Sequence, residues 1–117
     1  MSGATSYHGG LAAEEQVADH YRRLGMTIAA RRWRGRCGEI DLIARDGAAV
    51  VCVEVKRAAT HAAAAERVSA HQRARICAAA SEFIAFEPAG QDTDLRFNVA
   101  LVDGAGHIEV IENAFDF

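Results

Sequence analysis

The 117-residue chain has a single proline, Pro88, and aromatic residues make up only 7% of it. It also has no long hydrophobic run. The longest, Ala48 to Val53, reaches six residues, whereas a membrane-crossing helix takes about 20, so no span is expected. The opening MSGATSYHGG carries neither a positive charge nor an apolar stretch, which does not read as a signal peptide and makes a cytoplasmic location the expectation. Three cysteines, Cys37, Cys52 and Cys77, lie at spacings of 15 and 25. An odd number at those spacings matches neither a paired disulfide set nor a zinc cluster, and reduced thiols are expected. Five histidines are scattered, with no two at ligand spacing on one face.

What is there is a half-apolar, one-quarter-charged chain, of a size that suits one compact domain over residues 1–117 and needs no staple. Residues 1–9 are expected to form a flexible N-terminus. The net charge of −3 hides an uneven distribution. Up to Phe86 there are 12 basic and nine acidic residues, net +3, and the remainder carries −6. Seven arginines crowd between positions 20 and 45, a density that suits phosphate contacts.

Apolar positions Leu11, Val17, Ala18, Tyr21 and Leu24 recur at helical spacing before Gly25, predicting a first amphipathic helix. Met26 to Trp33 suits a short strand. GEIDLIAR and AAVVCVEVK, separated by Asp46-Gly47, suit a hairpin. Val68, Gln72, Ile76, Ala79 and Phe83 predict a second helix that ends before Pro88. Arg96 to Val102 alternates as a strand, and His107 to Ile111 suits one more. The expected fold is therefore α/β, with helices on a mixed sheet.

Candidate chemistry lies on the hairpin. Glu54 and Lys56 share one strand face. With Asp46-Gly47 as the two-residue turn, Asp41 stands opposite Cys52 and diagonal to Glu54 on the same face, about 7–8 Å away; a four-residue loop would set Asp41 directly opposite Glu54. Paired carboxylates repel unless a cation intervenes, and either Lys56 or a divalent ion can serve. Mg²⁺ takes oxygen ligands and commonly uses one or two carboxylates, so a metal-assisted phosphodiester hydrolysis would suit Asp41, Glu54 and Lys56. Glu14 falls within the inward stripe of the first helix, where an arginine partner or a place in the site are both open. Gln72 falls on the apolar stripe of the second helix and needs hydrogen bonds, which a backbone group could supply. Trp33 among the arginines suits either stacking on a base or anchoring in the core.

The runs GLAAEEQVADHYRRLG (Gly10 to Gly25), RRWR (Arg31 to Arg34), GEIDLIARDGAAVVCVEVK (Gly38 to Lys56) and LRFNVALV (Leu95 to Val102) closely resemble the YraN-type uncharacterised family of bacterial proteins over nearly the whole chain. That family is assigned to the restriction-endonuclease-like, PD-(D/E)XK superfamily and is similar to Holliday-junction resolvases. The resemblance implies a restriction-endonuclease-like core in αβββαβ order and an endonuclease dependent on Mg²⁺ or Mn²⁺, acting on DNA, branched or junction DNA included. It implies catalytic roles for Asp41, Glu54, Lys56 and Glu14, with Asp41 and Glu54 as metal ligands. Arg31, Arg32, Arg34, Arg36 and Gln72 are the expected nucleic-acid contacts, and the resemblance leaves room for a homodimer. A catalytically silent nucleic-acid-binding or protein-interaction module on the same fold is the alternative. Three positions depart from the family pattern. Cys52 replaces a usual aromatic, Asn98 a usual aspartate, and Gln72 a frequent lysine.

Overall fold

The computed structural model describes residues 3–62 and 69–114. Its elements run α1 (Gly3–Arg23), β1 (Thr27–Arg34), β2 (Glu39–Asp46), β3 (Ala49–Arg57), α2 (Ala70–Ile84), β4 (Leu95–Val102) and β5 (Ile108–Ile111). The strands form one sheet in the order β1-β2-β3-β4-β5. β3 and β4 are parallel and the other neighbours antiparallel. This is the expected mixed α/β architecture, compatible with a restriction-endonuclease-like core. Among the described residues no helix is long and apolar enough to cross a membrane.

A parallel pair needs a crossover, and α2 lies within it. The two helices cover opposite faces of the sheet. Val17, Ala18 and Tyr21 of α1 pack on Leu42, Val51, Val53 and Ala100. Ile76, Ala79, Ala80 and Ile84 of α2 pack on Ile43, Val50, Cys52 and Phe97. Strands buried on both sides lose the polar alternation of a half-exposed sheet, which accounts for the near-continuous apolar runs in β3 and β4.

Two boundaries differ from the sequence expectation. α1 starts at Gly3, well ahead of Leu11, and takes in most of the stretch expected to be flexible; no proline interrupts it, and each added residue contributes one more backbone bond. Leu24 leaves the inward stripe, 62% exposed, because the helix has ended at Arg23 and Gly25 turns the chain with φ 90°. Val68 lies outside the described residues. Ser69 caps α2, its hydroxyl accepting the Gln72 N–H, and so sets where the helix begins.

Trp33 turns out to be a core anchor. It is half-buried against the α2-side core and meets the Phe83 ring edge-to-face at 5.5 Å. The cysteines are free thiols, and burial pushes Cys52 up to about 12, so it is an inert packing residue.

Phe97 is fully enclosed between α2 and the sheet, whereas Phe86, just past α2, is 84% exposed. Phe97→Ala should therefore cost about 3–5 kcal/mol, and Phe86→Ala should stay within about 0.5 kcal/mol of wild type. Urea denaturation of both variants checks this, and equal midpoint shifts would contradict the layer assignment.

Candidate active site

The hairpin sets the site. Asp46 pairs with Ala49 and Leu42 with Val53, so the turn is Gly47-Ala48 rather than Asp46-Gly47. Gly47 takes the left-handed backbone, φ 61°, while Asp46 stays extended with its carboxylate 3.0 Å from Arg96. The register is thus displaced by two residues from the two-residue-turn expectation. An even displacement keeps every side chain on its face. Continued one step past its last pair, that register brings Asp41 level with Glu54.

There the backbone ladder gives way. Asp41 Oδ2 accepts the N–H of Val55 at 2.9 Å, which ties the aspartate to the strand that carries Glu54. Glu54 is only 5% exposed. Its Oε1 receives Gln72 Nε2 at 2.7 Å and faces Lys56 Nζ at 3.1 Å, and the carboxyl also hydrogen-bonds that of Asp41. Burial, then the adjacent Asp41 charge, pushes the Glu54 carboxyl up to about 8, with Lys56 pulling the other way. A carboxyl held there stays largely protonated near neutrality unless a further cation arrives.

A cleft of about 180 Å³ opens over this pair, lined by Glu39, Asp41, Glu54, Gln72, Arg75 and Ile76. It lies near the carboxyl end of β3, beside parallel β4, where open α/β sheets commonly bind ligands. Gln72 therefore has its amide on a carboxylate, not on the backbone group considered above. It reaches that position because α2 lays residues 72, 75 and 76 on one face.

β1 is distorted at the same level. Arg31 pairs with Leu42 and Trp33 with Ile40, and Arg32 between them stands across from Asp41 with φ 47°. A non-glycine residue in that conformation costs roughly 1–2 kcal/mol, and such strain gathers at functional sites. Alternation breaks in β2 too, since Ile40 and Ile43, three apart, join one core cluster. The Arg32 guanidinium grips Glu14 with two bonds, 3.0 and 3.2 Å. Glu14 thus has an arginine partner, and it is not among the residues lining the cleft.

The other arginines are also engaged. Arg31 pairs with Glu15, and Arg34 lies 3.0 Å from Glu39. Arg36 donates its backbone N–H to Glu82. The Arg31 and Arg34 pairs are exposed, worth about 0–1 kcal/mol, and so readily exchanged for a phosphate. Asn98, buried in β4 on the α1 side, donates to Tyr21 Oη at 3.0 Å and accepts the Asn113 N–H at 3.3 Å; its amide serves the core rather than the cleft.

The histidines are less scattered than their spacing suggests. His61 Nε2 and His107 Nδ1 lie 3.6 and 3.5 Å from Asp103 Oδ2, and His61 Nδ1 lies 3.0 Å from Glu109. A separation of 46 residues hides this grouping from the sequence. Among the described residues no group of three or more His, Cys, Asp or Glu is arranged to hold a metal. Asp41 and Glu54 still fit a hard divalent ion, which takes one or two carboxylates and fills its remaining positions with water and substrate oxygens. The crowding of the two carboxyls and the raised Glu54 proton affinity are what such an ion would relieve.

A five-stranded mixed sheet with two neighbouring carboxyls and a glutamine at one cleft, and a lysine on one of those carboxyls, defines a small α/β protein with an acidic site. The model of the uncharacterised protein family UPF0102 matches residues 13–102. The chain belongs to that family. It is 62% identical over 115 residues to a UPF0102 protein of Cereibacter sphaeroides strain KD131, covering 98% of each chain. It is 56% identical over 113 residues to one from Ruegeria pomeroyi, covering 97% of this chain and 92% of the relative.

The Glu54 carboxyl keeps its proton to about 8 when folded but releases it around 4.5 when unfolded. A group raised in this way contributes stability that is complete below about 4.5 and is lost as pH rises through about 8. In divalent-free buffer, the denaturation midpoint of Glu54→Gln should fall less between about pH 5 and about pH 9 than that of wild type. Identical pH dependence in the two proteins would contradict the burial argument.

Proposed function

We propose that this protein is a divalent-metal-dependent endonuclease that hydrolyses DNA phosphodiester bonds. The observation that carries the proposal is the burial of Glu54 beside Asp41, with Lys56 on its Oε1. Asp41 and Glu54 are the residues that would hold Mg²⁺ or Mn²⁺. When bound, that ion lowers the pKa of a coordinated water and offsets the charge developing on the attacked phosphate.

The chain's own groups supply the rest. Asp41 is held in place by the Val55 N–H and Glu54 by Gln72, so neither carboxyl has to be ordered when substrate arrives. The Lys56 ammonium, 18% exposed, lies beside Glu54, where it would orient the nucleophile and steady negative charge in the transition state. Arg31, Arg32 and Arg34 lie along β1 and would exchange acidic side chains for backbone phosphates, and Arg36 in the following turn would meet one directly. Glu14 holds Arg32, the strained residue across from Asp41, until a phosphate takes its place. Branched or junction DNA is the substrate class to try first. A two-fold homodimer would present two such clefts to two strands, and action on chromosomal DNA would place the protein in the cytoplasm.

Purified protein with Mg²⁺ or Mn²⁺ should nick or cut branched, single-stranded or duplex DNA. Asp41→Asn should lower the rate at least about a hundredfold while melting like wild type. Metal-independent binding with no cleavage of any of these substrates would instead favour a silent binding module.

A further inference from the structure

One wall of the cleft has no part in the chemistry above. Arg75 follows Gln72 by three residues on the same face of α2 and lines the cleft with it. The turn between β1 and β2 fixes its position. Arg75 Nε donates to the carbonyl of Cys37 at 3.3 Å. Gly38 packs so closely that a Cβ there would sit 2.9 Å from the Arg75 carbonyl oxygen. Two helical turns further along, both Glu82 oxygens accept the N–H of Arg36, at 3.0 and 2.9 Å. The turn is therefore pinned to α2 at two points, and Arg75 is the nearer one to the carboxylates.

This arginine lacks the carboxylate partner that many of the others have. Arg31, Arg32, Arg34, Arg45 and Arg96 each hold a carboxylate. Arg75 shares a cleft with three, yet Glu39 is taken by Arg34, Asp41 by the Val55 N–H, and Glu54 by Lys56 and Gln72. The terminal guanidinium nitrogens of Arg75 meet no acceptor among the described residues. A planar fork held by its Nε, with both outer nitrogens uncommitted, matches the two non-bridging oxygens of a phosphodiester.

We infer that Arg75 is a substrate-binding residue, its guanidinium receiving a DNA phosphate at the mouth of the carboxylate cleft. This rests on the endonuclease reading and adds a contact to it. The phosphate enters between a wall that attracts it and a floor whose charge must first be offset by a cation. Gly38 is the positioning residue behind the contact, since any side chain there would push α2 away.

The test is DNA binding by fluorescence anisotropy across a salt series, with Ca²⁺ replacing Mg²⁺ so that the strand stays whole. Arg75→Ala should lower the slope of log affinity against log salt by about one and weaken binding several-fold. Arg75→Lys, which keeps the charge, should restore the slope. Circular dichroism melting accompanies each variant, and Arg75→Gln, which retains a donor for the Cys37 carbonyl, stands in if the alanine variant does not fold. An unchanged slope in a folded neutral variant overturns the inference. Wild-type cleavage in Mg²⁺ separates the two proposals. If wild type cuts and the neutral variant keeps its slope, only the Arg75 contact fails. If wild type binds without cutting and the slope falls, only the nuclease reading fails. If wild type does not bind DNA, both fail.

Discussion

The confinement of the Glu54 carboxyl beside Asp41 is the constraint on which the rest of the structure turns. A group so enclosed has to be neutralised by a proton, by an ammonium or by a metal, and the surrounding elements supply the available means. β3 brings Lys56 to the same face, α2 brings the Gln72 amide, and β2 brings the aspartate that raises the cost of ionisation. A purely structural ion pair would not need the opposing carboxyl. Its presence is what raises the proton affinity of Glu54 beyond the effect of burial.

Most of this arrangement was legible in the sequence, because a hairpin is local and its two-residue periodicity fixes faces. Asp41, Glu54 and Lys56 are brought together as expected even though the turn lies one residue later than Asp46-Gly47 suggests. The error in register was even, so it cost nothing in which side chains meet. What remained hidden depends on contacts between distant segments. Which group takes the Gln72 amide is decided by how α2 lies on the sheet, and the importance of Arg75 by how the turn between β1 and β2 docks against that helix. His61 and His107 converge only because β3 and β4 run side by side.

The arginine-rich segment shows the same limit from the other side. Counting residues suggests a row of waiting cations, but α1 lies close enough for Glu14 and Glu15 to take Arg32 and Arg31. The sequence has both partners in view, but not the packing that joins them. These pairs do not remove the attraction for phosphate. They make it conditional, because each guanidinium must exchange one anion for another, and the field near β1 is weaker than the arginine count implies.

The order of the strands also bears on how copies of the molecule can meet. β1 forms one border of the sheet, and its backbone would otherwise be an open template for a strand from a neighbour. Arg31, Arg32 and Arg34 lie along that border, and the twist imposed at Arg32 spoils its straightness. Lining up two such borders would have to displace these ion-paired side chains over a bent line of hydrogen-bonding groups. β5, at the far border, is only four residues long. Both margins therefore discourage the sheet from growing, and two copies that associate must do so through helices or loops.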